Sequence, residues 1–280
     1  MATPRPSTPL AEFRDTLVFL LKLAVIVFVF RSFLFAPFSI PSESMLPRLL
    51  IGDYLFVLKP AYGFSRWSLP WGEPAIPGHV RWATPSRGDV VVFRGPHGED
   101  HDVIKRVIGL PGDTVQMRHG QLILNGVPVP KVRVADFVLP LSPNYSAGEG
   151  EGQCSSRFQS VDAAQRPVCR YPQFRETLPG GYSYSVLDMG TVAADDTDVY
   201  AVPAGDIFLM GDNRDNSADS RFPAPDDALP LQQKGMGFVP LDHVEGRALV
   251  GFFSTDGSAQ WLLPWTWFSA ARWRRIGEGF

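Results

Sequence analysis

Asp102-Val103-Ile104-Lys105-Arg106-Val107-Ile108-Gly109 reads as a β-strand. Side chains alternate across a strand, so Val103, Lys105 and Val107 share one face and Asp102, Ile104, Arg106 and Ile108 the other. Lys105 therefore sits between two valines, while Arg106 points away. Upstream, Arg87-Gly88-Asp89 turns into Val90-Val91-Val92-Phe93, a continuous apolar run suited to a buried strand. Downstream, Gly109-Leu110-Pro111-Gly112-Asp113 turns the chain, and His119-Gly120 and Asn125-Gly126 are hairpin signals between short apolar runs. Gly52-Asp53 leads into Tyr54 to Leu58, Pro203 to Met210 resumes the pattern, and Val244 to Ala248 reads as the final strand region. With 26 Pro and 26 Gly, these Val-rich segments predict a mainly β chain. Its 280 residues suit one large or two small domains. Residues 128–201 are more polar and read as an inserted subdomain or a long ribbon.

Ahead of the strands, Leu17 to Phe35 reads LVFLLKLAVIVFVFRSFLF. About 20 apolar residues span a bilayer. Lys22 and Arg31 lie toward opposite ends, where each can extend its stem to the nearer interface. We read one transmembrane anchor over 16–36, preceded by a short polar terminus over 1–15; a buried core helix is the competing reading. A cleavable signal peptide fits poorly, because Phe33-Leu34-Phe35-Ala36-Pro37 lacks an Ala-x-Ala-like site. Arg5 and Arg14 precede the span and Arg31 and Arg48 follow it, so charge does not fix its orientation. The net charge of −3 argues against a general nucleic-acid binder. Cys154 and Cys169 are too few for a disulfide scaffold or a four-cysteine zinc site. They leave one local bridge or two unrelated thiols. Residues 60–86, with Trp67, Trp71 and Trp82, and the tail from Trp261 to Phe280 suit either a membrane surface or packing on the domain's own core.

Just past the anchor comes Ile40-Pro41-Ser42-Glu43-Ser44-Met45-Leu46-Pro47. In an extended chain residues i and i+2 face the same way, so the Ser42 and Ser44 hydroxyls can share a cleft, one to attack and one to donate a hydrogen bond. Pro41 and Pro47 restrict the backbone on either side. The plainer alternative is a Ser/Pro linker after a membrane segment. A Ser–His–Asp hydrolase needs a histidine base, but His79, His97, His101, His119 and His243 lie in loops or turns. There is no Gly-x-Ser-x-Gly elbow, and Pro47 occupies the lysine position of a Ser-x-x-Lys pattern. His97 and His101 are spaced like a metal pair, yet Pro96 and Gly98 disfavour a helix there. No phosphate loop is present. What remains is a lysine base. Free lysine has a pKa near 10.4, and a fall of about three units, at a desolvation cost of roughly 4 kcal/mol, would make it useful. Val103 and Val107 are suitable desolvators for Lys105, and Ser217 is a candidate hydroxyl to orient the amine. An ordinary surface lysine is the alternative.

The chain resembles the bacterial type I signal peptidases (leader peptidases), membrane-bound serine proteases with a Ser/Lys dyad. Four blocks match in order: Phe38 to Lys59, Arg87 to Val115, Pro203 to Phe222 and Gly237 to Val250. They carry Ile-Pro-Ser-x-Ser-Met-x-Pro, Ile-Lys-Arg-x-x-Gly-Leu-Pro-Gly-Asp and Gly-Asp-Asn-Arg-Asp-Asn-Ser-x-Asp-Ser-Arg. The resemblance implies Ser44 as nucleophile, Lys105 as general base, and Ser42 with the Ser44 N–H as oxyanion hole. It implies that Ser217 orients the lysine, that Asp219 and Arg221 form a supporting ion pair, and that Asp212, Arg214 and Arg106 are structural charges. Phe38, Ile40, Pro41, Met45, Leu49, Asp102, Val103 and Ile104 are implied as walls of shallow substrate pockets. The implied architecture is a β catalytic domain over 37–280 with an inserted β-rich subdomain, held outside the bacterial cytoplasmic membrane by one helix. Implied partners are signal peptides of exported preproteins and the lipid bilayer, in proximity to the export channel; no cofactor, metal or nucleic acid is implied. Departures are Arg48 where the family often has Thr, the loop 223–235, the wide cysteine spacing and a single span. A soluble self-cleaving repressor-type protease shares the dyad, but the apolar segment and the lack of a DNA-binding region count against it. The intact set Ser42, Ser44, Lys105 and Ser217 counts against an inactive binding protein.

Overall fold

The computed structural model describes residues 9–65, 67, 80–95, 101–223, 235–260 and 262–280. Trp71, His79, His97, Trp261 and most of the loop 223–235 lie outside them. Helix α1 runs Pro9–Phe33. Its stretch Glu12–Phe33 is 22 residues of mostly exposed apolar side chains, about 33 Å at 1.5 Å per residue, and fits a bilayer core of about 30 Å. The helix ends earlier than the sequence reading placed it, since Phe35 and Ala36 already belong to a strand. The reason is Pro37, which disfavours helical backbone at the residue before it.

Seven strands form the principal sheet: β1 (Phe35–Ser39), β2 (Asp53–Leu58), β3 (Val90–Arg94), β4 (Asp102–Gly109), β5 (Asp206–Met210), β6 (Val239–Pro240) and β7 (Val244–Ser254). Their order across the sheet is β1-β2-β7-β3-β4-β5-β6, and every neighbouring pair is antiparallel. The apolar runs are explained by burial on both faces. Val91, Phe93, Val107, Ile207 and Leu209 enter one core, while Val90, Val92 and Ile104 enter another with Ile40, Met45 and Leu49.

A four-stranded sheet beside them contains both expected hairpins. Arg118 pairs with Gln121 and Leu124 with Val127, so His119-Gly120 and Asn125-Gly126 are two-residue loops. All four residues have positive φ, as that tight turn requires. Residues 131–187 form two three-stranded sheets, one of Lys131–Arg133, Gln173–Thr177 and Ser183–Leu187, the other of Phe137–Pro140, Pro167–Tyr171 and Gln159–Val161. A disulfide joins Cys154 to Cys169, with 5.8 Å between their Cα atoms. Both cysteines share a buried cluster with Leu46 and Leu50. The region read as an insertion therefore packs directly on the turn that carries Ser44. In the tail, helix α2 (Trp265–Ala270) leaves Trp265, Phe268 and Trp273 exposed. Trp67 stacks under Arg94, 5.3 Å from its ring centroid.

Candidate active site

The Ser44 turn is pinned from two sides. Met45 and Leu49 are buried in one core and Leu46 and Leu50 in another, so the residue between Glu43 and Met45 has little freedom. Asn213 secures the backbone. Its N–H donates to the Ser44 carbonyl at 3.0 Å, and its Nδ2 donates to the Glu43 carbonyl at 3.2 Å. On β4 the alternation of side chains places Lys105 toward this turn. Lys105 Nζ donates to Ser44 Oγ at 2.7 Å, and both residues are buried. Ser42 Oγ lies 3.4 Å from Ser44 Oγ. These three side chains line a cleft of about 530 Å³ with Val103, His101, Ser217, Phe222 and Met236.

Arg106, on the opposite face, is buried and meets Asp212 with two hydrogen bonds of 2.7 and 2.6 Å. Such fork-to-carboxylate pairs are directional as well as strong. Asp212 opens the loop that supplies the rest of the site. Arg214 donates twice to Glu176, at 3.0 and 2.5 Å, and so ties that loop to the 173–177 strand. Asp219 receives Arg221 Nε at 2.8 Å and the Gly211 N–H at 2.9 Å. A methyl group on Gly211 would come within 2.3 Å of Ser217 Oγ and 2.5 Å of the Ser44 carbonyl. Glycine there is a matter of space, and it lets the loop press against the Ser44 turn.

The residues singled out in the sequence fall into distinct places. Ser42, Ser44, Lys105, Val103 and Ser217 converge on the cleft. Among the described residues Ser217 Oγ has no hydrogen-bond partner, so the orienting contact to the lysine is absent from the recorded hydrogen bonds. Ile40, Met45, Leu49 and Ile104 are buried in the core beneath the turn, with Phe38 against them; Pro41 is exposed. Asp102 pairs with Arg94 at 3.1 Å and also meets Glu245, itself 2.7 Å from Lys59.

Sequence reasoning passed over Glu43. Its carboxylate is buried and accepts from Tyr145 Oη at 2.7 Å and from Asn216 Nδ2. Burial pushes it above the ordinary carboxylate range, with Glu151 adding to the rise. Asp215 was also passed over. Burial is the main cause, with Asp188 and Asp195 contributing, that pushes it from 3.8 up to about 6, although the Met189 and Gly190 N–H groups bind its Oδ2. A carboxyl raised on folding is neutral in the fold while already ionised in the unfolded chain between about pH 4 and 6. Stability is therefore expected to fall as pH rises through that window. Two pKa units correspond to about 3 kcal/mol, of which about 1–2 should survive solvent screening. Asp215→Asn should thus stabilise the chain by that amount at pH 7.5 and match the wild type at pH 4, read by denaturant midpoints in detergent. An equal gap at both pH values would refute it.

The chain was compared with known proteins. The family described as "Signal peptidase, peptidase S26" matches residues 13–253. A signal peptidase I of Rickettsia massiliae (strain Mtu5) is 32% identical over 247 residues, covering 85% of this chain and 77% of that protein. One of Rickettsia canadensis (strain McKiel) is 33% identical over 239 residues, covering 82% and 76%. Among solved structures, a signal peptidase I from Enterococcus faecalis V583 is 26% identical, covers 58% of this chain and 95% of its own, and superposes with a TM-score of 0.27.

Proposed function

Because the chain belongs to the signal peptidase family, peptidase S26, it is a serine endopeptidase, and we propose that it removes N-terminal signal peptides from exported preproteins through Ser44 and Lys105. The observation that carries the assignment is the 2.7 Å contact between Lys105 Nζ and Ser44 Oγ, both buried at the wall of an open cleft. Burial withdraws the water that stabilises an ammonium, and the neutral amine accepts the Ser44 proton at that same distance. Ser44 Oγ then bonds to the substrate carbonyl, and the Ser42 hydroxyl and the Ser44 N–H stabilise the oxyanion. Lys105 returns the proton to the departing amine. It next takes one from the water that hydrolyses the acyl-enzyme. Ser217 lines the same cleft, and small residues such as those of an Ala-x-Ala site precede the cut. Helix α1 anchors the catalytic body at the outer face of the cytoplasmic membrane, where emerging cleavage sites meet the cleft.

The test is cleavage of a preprotein with an Ala-x-Ala site by the full chain in detergent, with the new N-terminus identified by mass spectrometry. A single cut after the second Ala is expected. An uncut preprotein, or cuts scattered through it, would overturn the reading.

A further inference from the structure

The cleft lining holds two chemically different groups of side chains. Val103 and Met236 belong to one apolar cluster, and Phe222 packs beside Gly235 next to them. The other group is Glu43, Glu151 and Asp215. Their recorded partners offer no positive charge. Glu43 holds a tyrosine hydroxyl and an asparagine amide, and Asp215 Oδ2 holds two backbone N–H groups. Glu151 is exposed and has no hydrogen bond or ion pair among the described residues. Among the described residues two buried acceptors on the cleft wall have no hydrogen-bond partner, Asp215 Oδ1 and Ser217 Oγ, the latter on a side chain only 7% exposed.

We propose that this acidic group is the subsite for the mature side of the substrate, and that it favours chains carrying Lys or Arg just after the cut. The inference rests on the signal-peptide reading above. Ser44 follows Glu43 of the acidic group in the chain and meets Lys105 at 2.7 Å, two residues from Val103 of the apolar group; small apolar residues before the cut match the apolar group, and a chain continuing past Ser44 meets the acidic one. Uncompensated carboxylates in a cleft draw cations and repel anions. The subsite also receives the new α-amino group when the peptide bond breaks.

Three peptides that differ only at the second residue after the cut (Lys, Gln or Glu) test this with the full chain in a neutral detergent. At low salt the wild type should cleave the Lys peptide about tenfold faster than the Glu peptide in kcat/KM, as expected for partly exposed pairs with more than one carboxylate. Glu151→Gln should reduce that ratio to about threefold, read as a ratio of kcat/KM values within each enzyme so that any general change in cleavage cancels. High salt should compress the wild-type ratio. A Lys-to-Glu ratio near one, or one that Glu151→Gln does not move, overturns the proposal. If the wild type cleaves none of the three, the protease reading itself fails, and this inference with it.

Discussion

Replacing Ser44 or Lys105 by Ala is expected to lower kcat/KM for a preprotein by about 10⁴- to 10⁶-fold, as loss of one member does in other coupled nucleophile–base pairs. Ser42 is the nearest hydroxyl, but it sits 3.4 Å to the side of Ser44 Oγ. Lys105→Arg separates proton transfer from charge. It keeps the cation but cannot give up a proton near neutral pH, so it should be as inactive as the Ala variant. Lys105→Met keeps the length and apolar stem of the side chain, and guards against mistaking an unfolded protein for an inactive one. The double variant Ser44→Ala, Lys105→Ala should lose no more than either single one. Substantial activity in Lys105→Arg would mean that positive charge, rather than a base, is what Ser44 requires.

The largest effect on stability is expected at Asp219. Its ion pair with Arg221 is fully buried, and taking one partner from such a pair leaves a bare charge, at a cost of about 3–5 kcal/mol. Asp219→Asn should lower the unfolding free energy by that amount at pH 7.5, read from denaturant curves. Burial alone would raise the Asp219 carboxyl; Arg221 and the Gly211 and Arg221 N–H groups reverse this and hold it below its usual value. A depressed carboxyl stabilises the fold above the unfolded pKa, near 3.9, and that contribution fades as pH falls toward the folded pKa. The wild type should therefore weaken in acid, and the deficit of the Asn variant should shrink below about pH 4. An unchanged midpoint at neutral pH would show that the pair contributes nothing net.

The strands were legible because they depend on short-range patterns. Alternation within eight residues was enough to place Lys105 and Arg106 on opposite faces, and Asn-Gly was enough to place a hairpin. Glu43 was opaque although it adjoins Ser44, because its partner Tyr145 lies 102 residues away in a polar stretch with little periodicity. Glu176 was opaque for the same reason, while its partner Arg214 stood out within a dense motif. The wall assigned to Ile40, Met45, Leu49 and Ile104 shows another limit. Apolar residues beside a site look alike in sequence whether they line a pocket or support it from below; all four are buried beside the Ser44 turn, and burial by itself does not separate the two roles. The disulfide could not be read from spacing alone, since it depends on which strands the intervening chain brings together.

The two neighbouring cations on β4 also guard the pairing of the sheet against error. A slip of one residue exchanges the faces of a strand. Here it would press a guanidinium that never deprotonates against Ser44, and leave a single ammonium where Asp212 now meets a planar fork. Both sites would fail together, and the strand would also leave its valines and isoleucines in the wrong cores. A misaligned sheet is therefore penalised at the moment of docking, before any substrate arrives, so Lys105 and its arginine neighbour act as a two-letter checksum on correct assembly.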